Sequence, residues 1–496
     1  MKPITRRLLH ASHTWAGAVF GLAVFIVCLS GVWAAADAHL RHWEAGARRL
    51  AAPAEVDIGQ MLAAAQAHAP LDMRQISITL PTALHPAVRV SSGPAGRGGP
   101  QRGISLDPAT GRPVADAAGS AAMAPIVTTL HKSLYAGFPG RIAVSLVGVA
   151  FTVLLLGGIV LHPRRWRDWT ALRLGKGWRA AAFDLHRLAG LWLLPVLLLN
   201  GVTGIFSGLG ALGTLTLSPL AYPGGMPQAM AELTGSPPAR ASGVPAAMPP
   251  LQTLLDAHRL RDPGLRAESI TLANWGDAEA SLTVAGTRPG LLSTAVFERA
   301  RYRARDGLLL GEDSVRGRGG WLRAFVAVQP LHYARYGGGW GLALNLAGGI
   351  GAAVLAATGT LLWLGRRAAQ GGPPWAGRLA AGCGGGLLAA CAALLLAAAI
   401  GLDASSLARV FWGGWAAVAT GLMLAPVRHQ RRAAAAVLAL AGGLLLGAVG
   451  IDLARSLAQL LAVAAPALCV DAFLLCAGAV LVALGLRLQF RSKDSP

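Results

Sequence analysis

The sequence predicts a mainly α-helical, polytopic membrane protein with about eight transmembrane helices and two small α+β modules in the loops between them. Three observations lead to this prediction. The chain of 496 residues is 54% hydrophobic, only 14% of it is charged, and its basic clusters adjoin long apolar runs. A soluble protein of this length would carry about 25% charged residues. Because hydrocarbon accepts few side chains other than apolar ones, the shortfall indicates several membrane spans.

Long apolar runs locate the predicted spans. They cover residues 13–36, 141–162, 184–208, 339–364, 377–400, 407–426, 433–451 and 466–487. The first run follows a basic N-terminus, as in a signal peptide, but it is long enough to cross about 30 Å of hydrocarbon at about 1.5 Å per residue. It is therefore predicted to be a retained first span.

Basic clusters predict the orientation of these spans. They occur at the N-terminus, after the second, fourth and sixth spans, and at the C-terminus. Cytoplasmic loops carry the excess of Lys and Arg, so both termini are predicted to be cytoplasmic. The long loops 37–125 and 209–325 then face the periplasm of a bacterial inner membrane. The net charge of +21 belongs to this pattern, and nucleic acid is not an expected partner.

Each long loop has the pattern of a small α+β module. The stretches "AAAQAHAPLDMRQISITL" (63–80) and "DAHRLRDPGLRAESITL" (256–272) both indicate the end of a helix followed by an alternating strand. A further strand and a turn follow in "ISLDPATGRPV" (104–114) and "RYRARDGLLLGED" (301–313). We expect the two loops to fold on the same plan.

An internal repeat links the first four spans. "HTWAGAVFGLAVFIVCLSGVW" (13–33) aligns at a constant offset with "HRLAGLWLLPVLLLNGVTGIF" (186–206). This alignment places His13 on His186. Each half of the repeat contains two spans, so the two copies share one orientation and are predicted to be related by an axis along the membrane normal.

A second pair of histidines belongs to the same repeat. "LHKSLYAG" (130–137) aligns with "LHYARYGG" (331–338), which places His131 on His332. The four histidines thus form two repeat-related pairs, one predicted on each side of the membrane. Haem iron takes axial ligands from opposite faces, and helix bundles build such sites from facing helices. The pairs are therefore predicted to be the axial ligands of two haems.

Three further residues are candidates for these sites. His162, at the cytoplasmic end of the second span, is a third candidate ligand on that side, or a contact to a propionate or a quinone. Arg141 and Arg187 lie close enough in sequence to neutralise haem propionates. Zinc is a poorer fit, because no carboxylate or thiolate cluster accompanies the histidine pairs. The sequence identifies no catalytic residue.

These motifs together resemble those of a known family. The order of "HTWAGAVFGL", "LHKSLYAGFPGR", "GGIVLHPRRWRDW", "FDLHRLAGLWLLPVLLLNGVTG" and "LHYARYGG…LLWLGRR" is similar to that of the PepSY-associated transmembrane family. The last four spans resemble its iron-regulated branch, which includes inner-membrane ferric-siderophore reductases. The resemblance implies PepSY-like modules in the loops, haem b held by the span histidines, and electrons passed outward to a ferric chelate. His162 also matches a histidine of that branch.

The predicted organisation follows from these assignments. It comprises an N-terminal tail and first span (1–36), the first PepSY-like module (37–125), a Leu-His segment with the second span (126–163), a basic cytoplasmic loop (164–183), the third span (184–208), the second PepSY-like module (209–325), a Leu-His segment with the fourth span (326–367), and a C-terminal extension of four spans (368–496).

The function predicted from the sequence is electron transfer. An inner-membrane di-haem protein would pass electrons from the cytoplasmic side or the quinol pool to a periplasmic ferric siderophore or other iron chelate. Iron(II) binds hard oxygen ligands less well than iron(III), so one electron releases the metal. Two alternatives stay open: a non-redox, membrane-anchored regulator or peptidase-inhibitor-like protein, and a transporter built on the internal repeat.

Overall fold

The structure is a computed structural model. It describes residues 3–46, 49–51, 55–68, 70–93, 102–114, 122–162, 169–226, 228–229, 240–426, 429–457, 459 and 461–490. The chain divides into two compact units. The helical unit comprises residues 1–47, 121–210 and 332–496, and the sheet unit comprises residues 48–120 and 211–331.

Helices make up most of the described chain. In chain order they are α1 (Pro3–Ala35), α2 (Asp37–Glu44), α3 (Ile58–His68), α4 (Met123–Ser133), α5 (Gly137–Leu161), α6 (Trp178–Trp192), α7 (Leu194–Ile205), α8 (Ala211–Ala221), α9 (Leu251–Arg261), α10 (Gly320–His332), α11 (Gly338–Ala369), α12 (Trp375–Ala399), α13 (Ala404–Leu424), α14 (Gln430–Ser456) and α15 (Leu461–Phe490).

Eight helical stretches of the described chain are long and apolar enough to cross a membrane, which confirms the predicted number of spans. They are Pro3–Ala35, Gly137–Leu161, Leu194–Ala221, Gly338–Ala369, Trp375–Ala399, Ala404–Leu424, Gln430–Ser456 and Ala464–Gln489. The protein is therefore a mainly helical, multi-pass membrane protein whose partner is the lipid bilayer.

The third span differs from its predicted position. It was expected at 184–208, but α6 ends at Trp192 and a separate apolar stretch runs over Leu194–Ala221. Pro195 lies in the first turn of α7, where a residue without an N–H is tolerated, and it would not fit the interior of one continuous helix. A short π-helix, Phe206–Gly210, then connects α7 to α8.

Four helices share the small apolar core that positions the candidate site. Val24 of α1, Phe151 of α5, Leu197 of α7 and Leu355 of α11 are buried against one another. Helix α1 packs along α11 and also contacts α4 and α5, while α6 packs against α11. The two halves of the predicted repeat therefore interlock within the helical unit.

The sheet unit is built on one antiparallel sheet of seven strands. Its order is β3-β2-β1-β4-β5-β6-β7. The strands are β1 (Gln75–Thr79), β2 (Val88–Ser92), β3 (Arg102–Leu106), β4 (Arg266–Ala273), β5 (Ser281–Thr287), β6 (Arg299–Arg303) and β7 (Leu309–Asp313). Helices α3 and α9 contribute buried leucines to the same core as the strands.

The two loops were predicted as separate modules, and the structure joins their strands. β1 from the first loop pairs with β4 from the second, with Ile78 opposite Ile270. The helix–strand order at 63–80 and 256–272 is confirmed, since α3 precedes β1 and α9 precedes β4. The prediction missed β2 and β5, whose hydrogen bonds complete the sheet.

A buried histidine–tyrosine pair lies between α9 and β6. His258 is 3% exposed, and its Nδ1 lies 2.7 Å from the Oη of Tyr302. Burial lowers the pKa of His258 from its ordinary 6.5; Asp262 acts in the opposite direction, while the charges of Arg288 and Arg259 lower it further. The folded sheet unit therefore favours the neutral ring.

The sheet unit should lose stability in mild acid. Because the pKa of His258 is lower in the folded than in the unfolded chain, the unfolded chain binds the proton first as the pH falls below about 6.5. Hydrogen exchange of β4 to β6, corrected for intrinsic rates, should show a falling free energy of opening between about pH 7 and pH 5. Asp262 has its pKa held below 3.8 by Arg288 and titrates outside this window.

The matched variant is His258→Gln, which keeps a polar partner for Tyr302 and removes the titrating ring. Its free energy of opening should vary less with pH than that of the wild type. If the free energy of opening falls with pH as steeply in the variant as in the wild type, the pH dependence belongs to another group.

Candidate functional site

The structure brings the four repeat-related histidines together in two pairs. The ring centroids of His13 and His186 lie 6.4 Å apart, and their planes are nearly perpendicular at 86°. Those of His131 and His332 lie 6.2 Å apart, and their planes are nearly parallel at 17°. Each pair joins helices from the two halves of the sequence repeat: α1 with α6, and α4 with α10.

Helix backbone and a threonine orient the His131–His332 pair. The Nδ1 of His131 lies 2.8 Å from the carbonyl oxygen of Val27 in α1. The Nδ1 of His332 lies 3.0 Å from the Oγ1 of Thr203, whose hydroxyl donates to the carbonyl of Leu199 at 2.6 Å. In both rings Nδ1 is therefore the protonated donor. Nε2 keeps its lone pair, as a metal-binding imidazole requires.

In the His13–His186 pair, the two rings differ in their hydrogen bonds. The Nδ1 of His186 lies 3.0 Å from the carbonyl oxygen of Leu355 and 3.2 Å from the Oγ1 of Thr358. Thr358 donates its own proton to the carbonyl of Val354 at 2.6 Å, so it accepts from His186. The backbone of Leu154 in α5 is a hydrogen-bond partner of the His13 ring, but the buried Nδ1 of His13 makes no well-formed hydrogen bond to a described residue. One ring of this pair is fixed by its neighbours more firmly than the other.

Four glycines lie against the four imidazole rings. A Cβ added at Gly31 or Gly204 would lie 2.9 Å or 3.2 Å from the Cε1 of His131 or His332, respectively. A Cβ at Gly158 or Gly359 would lie 3.6 Å or 3.1 Å from the Cε1 of His13 or His186. The rings of His131, His332 and His186 thus pack on a helix backbone where a side chain would crowd them, whereas a Cβ at Gly158 would make an ordinary contact with His13.

The turn after each of the helices α4 and α10 is left-handed. Leu134 and Tyr135 have φ of 47° and 59° after α4, and Ala334 has φ of 56° after α10. Such a conformation costs a non-glycine residue about 1–2 kcal/mol. Glycines at positive φ, Gly137 and Gly338, complete both turns. The repeated segments 130–137 and 331–338 therefore each specify a histidine followed by a tight turn into the next span.

A cleft lies beside the His131–His332 pair. It contains about 1070 Å³ of space free of protein atoms, counted with its open mouth. Apolar residues such as Val24, Phe151 and Ala352 form most of its wall. The basic and amide side chains on the wall are His131, His332, Lys132, Arg141, Asn200 and Asn345.

The other predicted site residues have different surroundings. Arg141 lines the cleft and donates to the carbonyl of Ser207 at 3.0 Å. Arg187 instead donates to the carbonyl of Ala171 at 2.7 Å and lies 3.3 Å from the buried Asp184. His162 follows the last turn of α5, one helical turn beyond the glycine that faces His13. Its Nε2 is buried and makes no hydrogen bond to a described residue.

The spacing of the rings is compatible with two ligands on one metal. An imidazole nitrogen binds a metal at about 2.0 Å, and ring bonds of about 1.33 Å place each ring atom about 1.1 Å from the centroid. Two imidazoles on opposite sides of one metal therefore have centroids about 6.2 Å apart. Both observed separations, 6.2 Å and 6.4 Å, are close to this value.

The number of donor atoms that each pair offers limits the kind of metal centre that it could hold. Within the described residues no group of three or more His, Cys, Asp or Glu side chains could hold a metal ion. A bare ion on two imidazoles would lack ligands, since protein metal sites use at least three or four. A metal that brings its own equatorial ligands, as in a haem, needs only the two axial nitrogens.

Comparison with known proteins identifies the family. The PepSY-associated TM region matches residues 11–366, a stretch that includes all four paired histidines. The chain belongs to this family. An uncharacterized protein of Pseudomonas aeruginosa is 46% identical to it over 324 residues, which are 61% of this chain and 80% of the relative. Helices α12 to α15 follow the part that the PepSY-associated family match covers.

The prediction missed the groups that orient the rings. Thr203 and Thr358 carry no motif, and Val27 acts through its backbone alone. One signal was available for Gly31 and Gly204, because the repeat aligns them with each other. In this member of the PepSY-associated family, the repeat therefore preserves the surface on which a histidine rests as well as the histidine itself.

Gly31→Ala should destabilise the helical unit. The added methyl would lie 2.9 Å from the His131 ring, which its hydrogen bond to Val27 prevents from moving freely. Overpacking of this kind costs about 1–3 kcal/mol. Thermal unfolding in one detergent should show a lower melting temperature than for Gly443→Ala in α14, where an added Cβ meets nothing within 4 Å. Equal melting temperatures for the two variants would contradict this packing.

Proposed function

We propose that this member of the PepSY-associated family is a di-haem b electron-transfer protein that reduces a ferric chelate. The observation that carries the proposal is the separation of 6.2 Å and 6.4 Å between the rings of two histidine pairs. Imidazoles held through Nδ1 present Nε2 as a ligand, and helix bundles bind haem between such facing side chains. Haem b, when bound, would supply a one-electron couple at each pair.

The chain's own residues would bind, orient and shield this group. The four histidines would be axial ligands, Val27 and Thr203 would orient one pair, and the glycines would let flat rings lie against the helices. Arg141 and Lys132 on the cleft wall would neutralise propionates. Arg187 is a weaker candidate for that role, because Asp184 already pairs with its guanidinium.

His162 would not be an axial ligand, because His13 and His186 already pair with each other. Its buried Nε2 lies near the same end of the helical unit, one turn from the glycine that faces His13. A contact to a propionate or to a quinone headgroup is the role that we propose for it.

We infer that the protein lies in a bacterial inner membrane with both termini cytoplasmic. The basic residues Arg366 and Arg367 end α11, and Arg431 and Arg432 begin α14, as the positive-inside rule expects of one membrane face. The His13–His186 pair would then be cytoplasmic and the His131–His332 pair periplasmic. The sheet unit would be a periplasmic pair of PepSY-like modules that offers the chelate a docking surface.

The halves of the chain are proposed to be repeats related by a two-fold axis. Both halves carry a histidine at the end of a short helix, a left-handed turn and a long span. In the sheet the first strand of each half, β1 and β4, pairs antiparallel, as strands related by a two-fold axis do. This relation would also bring equivalent histidines face to face.

The proposed reaction transfers one electron to iron(III). A ferric siderophore or similar chelate would be reduced to its iron(II) complex, whose hard oxygen ligands hold the metal less tightly. The electron would come from a quinol or from a reductase on the cytoplasmic side. The protein would then be an oxidoreductase of the ferric-siderophore reductase type.

The haem count of purified protein tests the proposal. A pyridine haemochrome assay should find two haems b per chain, with a strong Soret band and split α and β bands after reduction. His13→Ala or His186→Ala should lose about one haem, and His131→Ala or His332→Ala should lose the other, because a haem with one protein ligand binds far less tightly.

Two variants serve as controls in the haem count. His68→Ala removes an exposed histidine of the sheet unit and should keep both haems. His162→Ala should also keep both, whereas loss of one would replace a proposed ligand by His162. A colourless wild-type protein, prepared with ample haem, would overturn the electron-transfer function and favour a regulatory or transport role.

The two sites should give different electron paramagnetic resonance spectra. Parallel imidazole planes act on the same metal d orbital and split the orbital energies, whereas perpendicular planes leave them nearly equal. The planes of His131 and His332 lie at 17°, and those of His13 and His186 at 86°. The oxidised protein should therefore show one rhombic low-spin signal and one strongly anisotropic signal.

Single variants assign the two signals. His131→Ala should remove the rhombic signal, and His13→Ala should remove the strongly anisotropic one. Two identical signals would mean that the ring planes of the two pairs do not differ as described.

A further inference from the structure

Two asparagines stand on the wall of the cleft beside the His131–His332 pair. Asn345 in α11 is 4% exposed, and its Nδ2 donates to the backbone carbonyl of His332 at 3.2 Å. Its Oδ1 is buried and accepts no hydrogen bond from any described residue. Asn200 in α7 also lines the cleft with a buried Oδ1 that has no such donor.

The two amides lie on one side of the cleft. The Nδ2 of Asn200 lies 3.4 Å from the position of a Cβ on Gly348, which is one helical turn from Asn345 in α11. An unsatisfied buried carbonyl oxygen costs about 1–3 kcal/mol. Two of them at one apolar wall indicate a role that offsets this cost.

We propose that Asn345 and Asn200 lower the reduction potential of the metal held by His131 and His332. This inference rests on the proposed function. Buried amide oxygens of residues that line the cleft place negative dipole ends at its wall, and in a medium of low polarity this favours the more positive oxidation state of a centre in the cleft. Iron(III) carries one more positive charge than iron(II), so the oxidised form is stabilised and the potential falls.

Asn345 would act in a second way as a positioning residue. Its Nδ2 bonds to the carbonyl of the residue whose imidazole is the proposed ligand. The same amide thus fixes the backbone of His332 and directs its oxygen away from that bond. Outer residues that orient a ligand in this way tune the properties of metal sites.

Spectroelectrochemical titration of the purified full-length protein tests the proposal. Asn345→Leu keeps about the same volume and removes the dipole. It should raise the potential of the His131–His332 haem, with about a tenfold change in the reduction equilibrium, which corresponds to about 59 mV for one electron. Asn200→Leu should shift it in the same direction, and the double variant should shift it further.

The second haem of the same molecule is the internal control, because its potential should not change. The rhombic resonance signal should keep its shape, whereas a purely structural role for Asn345 would alter that signal. If Asn345→Leu does not fold, Asn200→Leu carries the test alone, since its Nδ2 does not hold the backbone of His332 in the structure.

The outcomes separate the two proposals. Two haems with an unchanged or lowered potential in both leucine variants would overturn the dipole inference and leave the proposed function intact. An ordered water that satisfied both oxygens would give this result. A wild-type protein without haem would overturn the proposed function and the inference with it.

Discussion

The hydrogen bond from a histidine Nδ1 to a neighbouring helix is the interaction on which the arrangement of the helical unit depends. It fixes the ring, selects the tautomer with the proton on Nδ1, and leaves the lone pair of Nε2 available as a ligand. Only a helix packed within hydrogen-bonding distance can supply such an acceptor, and His131 takes it from the backbone of Val27. The close contacts of α1 with α4 and of α6 with α11 therefore bear directly on the site.

This requirement also explains where the chain uses small or strained residues. A ring that lies on a helix leaves no room for a Cβ, and Gly31 and Gly359 occupy such positions. The reversal after α4 places Leu134 and Tyr135 in a left-handed conformation that L-residues seldom adopt. Strain of this size persists where the surrounding packing over-determines the backbone, and here it directs a histidine-bearing helix toward its partner.

Local patterns in the sequence were sufficient for the number of spans, for the helices and strands around 63–80 and 256–272, and for the expectation that the four histidines lie in two pairs. Self-comparison was decisive, because a repeat shows which histidines are equivalent before any contact is known. The union of the two loops through β1 and β4 had no such signal, since strand pairing is a non-local hydrogen-bond pattern. The acceptor role of Thr358 was equally invisible, because it depends on α6 and α11 lying side by side.

Where the two pairs depart from equivalence, the departure has a physical consequence. A two-fold repeat would relate the two histidines within each pair, and it would not relate one pair to the other, so the two pairs need not be alike. The two pairs differ in their ring planes, in the hydrogen bonding of His13, and in the buried amide oxygens of Asn345 and Asn200 beside the His131–His332 pair. Each of these changes the environment of one site only. Duplication would thus supply two ligand frames, and the unshared side chains would set the difference in potential that directs an electron from one to the other.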